Sequence, residues 1–300
     1  MWFQVAPQSD GQTQILSLAV FNEKLYGGTG ETGRLFEWDG ADAWVQVAPQ
    51  LGGQNYIYAM TVLNGKLYGS TGNGGRLFEW NGADAWVQVA PLLLNQYYIY
   101  SLAVLNGKIY GGTSPGGRLF EWNGADAWVQ VAPQLNSQGY IYSLIVLNGK
   151  IYGGTSPGGR LFEWNGADAW VQVAPQLEGQ VYIWCLAALN GKIYGGTWST
   201  GRLFEWNGAD AWVQVAPQLE AQPYIMSLVV FDGQIYGGTN TGGRLFEWNG
   251  ADAWVQVAPQ LNSQTAILAL AVFNGSLYGG TSPAGRLFEW WEIAGQPIVV

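Results

Sequence analysis

Gly117-Arg118-Leu119-Phe120-Glu121-Trp122 occurs seven times in this chain without a change of letter, its arginine standing at Arg34, Arg76, Arg118, Arg160, Arg202, Arg244 and Arg286. The spacing is 42 residues each time, so seven copies account for 294 of the 300 residues. A fixed period of this length marks a copied supersecondary unit that hides its apolar face only against its neighbours. Upstream of the stretch, the apolar run Ile99 to Leu105 ends at Asn106-Gly107, and a second run starts at Lys108-Ile109-Tyr110. Asn-Gly between two apolar runs is the strongest short hairpin signal. The chain breaks again at Ser114-Pro115-Gly116-Gly117, resumes as Arg118 to Trp122, turns at Asn123-Gly124 and finishes with Trp128-Val129-Gln130-Val131-Ala132-Pro133. Each copy therefore reads as four short antiparallel strands.

No run has both the length and the 3.6-residue period of a helix, which makes the chain all-β. Four-stranded units of about 40 to 50 residues, repeated radially, specify a seven-bladed β-propeller here. Residues 1–300 form one such domain. The ends fit together: Trp2-Phe3-Gln4-Val5-Ala6-Pro7 matches a fourth strand, and the seventh copy stops after Trp290 without supplying its own. Residues 2–7 are expected to pair with the strand around Leu287 to Trp290, leaving no open edge. The tail, Trp291 to Val300, departs from the repeat.

Composition agrees with a packed domain, since 48% of residues are hydrophobic and only 11% charged, enough apolar material for a large core. No apolar stretch is long enough for a membrane helix, and the start, Met1-Trp2-Phe3-Gln4-Val5, lacks the pattern of an export signal. A soluble monomer in the cytoplasm, with no membrane partner, is the expectation. Cys185 is the single cysteine, which excludes an internal disulfide and a thiolate cluster. The net charge of −9 opposes phosphate backbones, so no nucleic-acid partner is expected.

The run Trp128-Val129-Gln130-Val131-Ala132-Pro133, followed by Val146-Leu147-Asn148-Gly149-Lys150-Ile151-Tyr152-Gly153-Gly154, resembles the kelch repeat over nearly the whole chain. In this chain the glycine doublet follows the tyrosine at once, and Phe120 stands near the family's expected tyrosine. The resemblance implies an interaction domain, in a family with a few oxidase relatives. The near-identity of the copies is also similar to highly repetitive bacterial propellers associated with self/non-self recognition.

Differences between copies locate the candidate site. Gly-Arg-Leu-Phe-Glu-Trp is fixed, and the turn after it changes only at Asp39. Variation gathers in the connection between blades, where Thr13, Asn55, Tyr97, Gly139, Val181, Pro223 and Thr265 share one slot. The next slot holds Gln14, Tyr56, Tyr98, Tyr140, Tyr182, Tyr224 and Ala266; two residues on stand Leu16, Tyr58, Tyr100, Tyr142, Trp184, Met226 and Leu268. A second variable patch follows the second strand, as in Gly30-Glu31-Thr32, Ser114-Pro115-Gly116 and Trp198-Ser199-Thr200. Strand count puts both patches at one end of the blades. Tyr56, Tyr58, Tyr97, Tyr98, Tyr100, Tyr140, Tyr142, Tyr182, Trp184, Trp198 and Tyr224 are the candidate binding residues, because rigid aromatic side chains give large contact area with few rotors to immobilise. The bland alternative is that the Tyr100-type side chains pack between blades while the loops drift.

Other motifs have structural readings. Gly28-Thr29-Gly30-Glu31-Thr32-Gly33 fits a dinucleotide pattern, but no helix follows to hold a pyrophosphate. Asn274-Gly275-Ser276, a formal glycosylation acceptor, falls in a tight turn. Doublets such as Gly111-Gly112 are read as permitting close approach of blades. The fixed arginine is expected to tie to an acid of the next blade or to a tryptophan such as Trp128.

The chain has no histidine, which removes the usual base and the commonest metal ligand; no catalysis, metal or cofactor is expected. Carboxylate chemistry would have to use acids outside the fixed slots, namely Asp10, Glu23, Glu31, Glu178, Glu220, Asp232 and Glu292. A protein or peptide ligand is the leading expectation. A glycan is the first alternative, since tyrosines stack on sugars too. A symmetric scaffold, rebuilt in the laboratory and carrying no ligand, is the second.

Overall fold

The computed structural model describes residues 1–8, 11–93, 95–135, 137–177, 179–219, 222–261 and 263–291. Every element in it is a strand, in seven four-stranded antiparallel sheets. In the third blade the strands are Tyr98–Leu105, Lys108–Ser114, Leu119–Trp122 and Trp128–Ala132, hydrogen-bonded in that order. The first strands of successive blades stand side by side around a central channel. No helix among the described residues is long and apolar enough to cross a membrane.

Trp2–Ala6 pairs antiparallel with Leu287–Trp290, Trp2 facing Trp290, and so completes the seventh blade as its fourth strand. Asn106 and Gly107 both have positive φ, 50° and 73°, as a tight two-residue turn with the right twist requires. The third turn is longer. Asn123 Oδ1 accepts hydrogen bonds from the backbone N–H groups of Ala125, Asp126 and Ala127, and Asn123 N–H donates to Ala127 O. One side chain thereby organises a loop that hardly varies.

The core lies between blades rather than within one sheet. Leu105, Tyr110, Leu119 and Ala132 of the third blade close on Ile151 and Trp164 of the fourth. Tyr110 and Trp164 have ring centroids 5.1 Å apart, and the same contact recurs at all seven boundaries, including Tyr278 with Trp38 across the closure at 5.2 Å. Such a pair adds roughly 0.5–1.5 kcal/mol beyond area burial, so the closing boundary is tied as firmly as the rest. The glycine doublet lets the blades approach this closely. A Cβ on Gly112 would lie 2.6 Å from Ile141 Cγ2 of the next blade and 2.7 Å from Ser101 Oγ.

Among the described residues the fixed glutamate is held within its own blade. Lys108 Nζ donates to Glu121 Oε1 at 2.6 Å, and Tyr26 Oη donates to Glu37 Oε2 at 2.8 Å in the first blade. Glutamate lies opposite that tyrosine in the strand register, so lysine and tyrosine of one hairpin reach it first. Arg34 Nη1 donates to Gln46 Oε1 at 3.2 Å, again within its own blade. The Tyr–Trp contacts tie one blade to the next.

Candidate aromatic rim

Both variable segments meet at one end of the disc. Gly74 N–H of the second blade donates to Tyr97 O, just before the third blade, at 2.7 Å. Gly117 N–H donates to Gly139 O, Gly158 N–H to Val181 O, Ser199 N–H to Pro223 O and Gly285 N–H to Thr13 O. The loop after each second strand is thus laced to the connection that enters the next blade. The uniform turns occupy the opposite face.

A β-bulge in the first strand of every blade sets the site. In the third blade Ile99 pairs with Thr113 and Ser101 with Gly112, which leaves Tyr100 without a partner. The same step falls at Leu16, Tyr58, Tyr142, Trp184, Met226 and Leu268. A bulge re-aims the residue it inserts, and here the residue turns toward the channel. Channel volume is about 370 Å³, with Tyr58, Tyr100, Tyr142, Trp184, Met226 and Leu268 among its lining. Ile99, fully buried, packs beneath the rim, while Tyr100 both lines the channel and touches the rings of the neighbouring blades.

The aromatic side chains form one arc. Tyr98 stacks on Tyr100 with centroids 5.2 Å apart and planes 15° apart, as Tyr56 does on Tyr58 and Tyr140 on Tyr142. Between blades, Tyr58 meets Tyr100 edge-on at 5.0 Å, and Tyr100 meets Tyr142 at 5.1 Å. Tyr142, Trp184, Trp198 and Tyr224 follow at 4.4, 4.4 and 4.5 Å, with Tyr182 at 6.2 Å from Tyr142. The arc runs from the second blade to the sixth. Leu268, Ala266, Leu16 and Gln14 interrupt it at the seventh and first. All ten rings are half-buried. Tyr97 stands apart, 61% exposed, joined to the rim through its backbone.

Burial is the main cause that raises the hydroxyl pKa of Tyr58, Tyr100 and Tyr142 above the ordinary tyrosine value, with neighbouring tyrosines adding to it. These three hydroxyls are therefore neutral near pH 7 and available as donors. Cys185, beside Trp184, is buried, and burial pushes its thiol up; a neutral thiol is a poor nucleophile. Among the described residues no cluster of acids and cysteine is arranged to hold a metal ion. Glu31 lies exposed at the rim, whereas Asp10, Glu178, Glu220 and Glu292 fall outside the described residues.

On the uniform face, clefts open between adjacent blades. The one between the third and fourth blades is about 590 Å³, lined by Lys108, Tyr110, Glu121, Lys150, Glu163 and Asn165 among others. Equivalents with the same polar groups lie between the first and second and between the second and third blades.

No family model and no curated protein matches the chain. Solved structures match its fold. A catalytically inactive virginiamycin B lyase from Staphylococcus aureus with quinupristin superposes with a TM-score of 0.82 at 7% identity, covering 96% of this chain and 98% of that one. The WD40 β-propeller domain of Doa1 gives 0.73 at 12% identity over 98% of both chains. YCF48 bound to D1 peptide gives 0.72 at 15% identity over 97% of both. Identities this low establish a shared seven-bladed architecture and nothing narrower.

Proposed function

We propose that this chain is a non-enzymatic binding module whose aromatic arc receives a segment of a protein partner at the channel mouth. One observation carries the reading: in a nearly uniform repeat, four residue types alternate at the bulge that turns a side chain toward the channel. A framework needs the same residue in each copy, and the fully buried isoleucine beside each bulge obeys that rule. Variation at the bulge answers to something outside the framework. The kelch-like repeat pattern and the peptide bound by YCF48 agree with this reading. The lyase among the fold's relatives shows that propellers also host catalysis, but the absence of histidine from this chain weighs against it.

The test is a peptide library displayed on phage and panned against the intact protein, then against a Tyr142→Ala/Trp184→Ala variant. Enrichment on the first and loss on the second is the expected result. Enrichment that survives the substitutions would move the site away from the arc.

A glycan is the second reading, favoured by the clefts of the uniform face. Their linings repeat the same polar groups, as multivalent recognition of a simple sugar requires. Glycan-array binding abolished by Lys108→Gln and Lys150→Gln together, and indifferent to the arc, would select it.

A further inference from the structure

We infer that the segment taken by the rim is acidic, with apolar or aromatic anchors; this rests on the reading that the arc binds a protein segment. The support is a separation of charge that the overall value of −9 conceals. Each blade carries its arginine at the variable end, where the chain leaves the second loop for the third strand. A Cβ on Gly116 would lie 3.7 Å from Arg118 Nε, and one on Gly158 3.6 Å from Arg160 Nε, so these side chains lie against the variable loops. Seven arginines ring that face. Arg76, Arg118, Arg160, Arg202 and Arg244 form no ion pair with any described residue. Glu31 is the one described acid there, and the sequence offers only Asp10, Glu178 and Glu220 to the undescribed parts of the connections.

The opposite face holds all five lysines, each paired to a glutamate. It also holds seven fixed glutamates and six turn aspartates such as Asp126. The disc is therefore positive around the arc and strongly negative beneath it. Charge near a site, not the whole-chain total, steers a ligand, so the net −9 does not repel an anion from this rim.

The geometry favours an acidic peptide over a nucleic acid. Single strands bind by laying bases on open aromatic faces beside a track of cations. Here Tyr56, Tyr98 and Tyr140 each cover a face of the tyrosine two residues on, Tyr140 and Tyr142 lying within 5° of parallel, so those faces are not open to a base. The arginines lie outside the arc, one per blade, as Arg34 on the outermost strand's Gln46 shows. The channel, about 370 Å³ and lined below the arc by Leu18, Leu102 and Leu144, has room for an apolar side chain or two.

Sequences enriched by panning on the intact protein, with counter-selection on the Tyr142→Ala/Trp184→Ala variant, should carry net negative charge beside leucine or aromatic residues. Binding of one such synthetic peptide should weaken about tenfold between roughly 50 and 300 mM sodium chloride, as screening of rim charges predicts. Arg118→Gln/Arg160→Gln should weaken it by about threefold or more, while Lys108→Gln/Lys150→Gln should not. Neutral or basic enriched sequences would overturn the acidic partner and leave the arc as the site. A deoxythymidine oligonucleotide bound more tightly than the peptides would make the partner a nucleic acid and overturn the inference. No enrichment over the counter-selected variant would overturn both readings.

Discussion

Ser70 Oγ of the second blade donates a hydrogen bond to Ile99 O of the third at 3.0 Å, performing from the second strand what Ser17 performs from the first strand in the neighbouring blade. Ser17 Oγ reaches Ile57 O at 2.9 Å, and Ser227 Oγ reaches Ile267 O at 3.3 Å. Ser17 faces Gly28 across its hairpin, whereas Ser70 faces Ala59. The two arrangements exchange the hydroxyl and keep its acceptor, a carbonyl beside the bulge. Ser70→Gly should cost about 1–3 kcal/mol by leaving that carbonyl unpartnered, and adding Ala59→Ser should restore most of it. Urea denaturation checks both, and a double variant no more stable than the single one would refute the exchange.

Trp164 and Trp184 should respond to truncation to different degrees. Trp164 is buried between two blades against Tyr110, so Trp164→Ala should cost about 3–5 kcal/mol. Trp184 is half-buried at the channel, and Trp184→Ala should cost about 1–2 kcal/mol while removing peptide binding. Equal losses in the denaturation midpoint would return the arc to the framework.

Alkaline pH should unfold the protein, in a direction fixed by its tyrosines. Burial, followed by the hydrogen-bonded glutamate, raises the pKa of Tyr26, Tyr68 and Tyr110, and burial raises that of Tyr58, Tyr100 and Tyr142. The neutral hydroxyl is favoured in the folded state, while an unfolded tyrosine ionises near pH 10. Their contribution to stability is thus complete below about pH 10 and is lost as the pH climbs toward the folded values. Tyrosinate absorbance should rise for these groups together with loss of the β-sheet circular dichroism signal, and an earlier rise would contradict their burial.

Removal of residues 1–7 should leave the seventh blade three-stranded and lower the melting temperature. Trp2 packs edge-on to Phe288 with centroids 6.4 Å apart, and Trp291 N–H donates to Met1 O at 3.1 Å. A synthetic peptide of residues 1–8 supplied in trans should raise the melting temperature again, and the same peptide with Trp2→Ala should not. Failure of the unsubstituted peptide to act would show that the closing strand is dispensable.

The architecture was legible because repetition needs no knowledge of contacts. Asn106-Gly107 and the breaks around Ser114 delimit the strands, and counting them places both variable segments on one rim, where the lacing of Gly74 to Tyr97 finds them. The direction of Tyr100 was not legible. Ile-Tyr-Ser carries no glycine to mark the bulge that turns Tyr100 toward the channel. The partner of Glu121 was hidden for a related reason: its meeting with Lys108 depends on the register between two strands, which neither strand contains alone. The charge separation was written in the sequence throughout, yet a single total averaged it away.

Because the bulged residue belongs to no pair in the sheet, replacing it leaves the pairing register with the neighbouring strand as it is. Leucine, tyrosine, tryptophan and methionine all occupy that place over one unchanged backbone pattern. Seven such places, arranged in a circle over one backbone pattern, behave as the wards of a lock that can be recut without remaking the barrel.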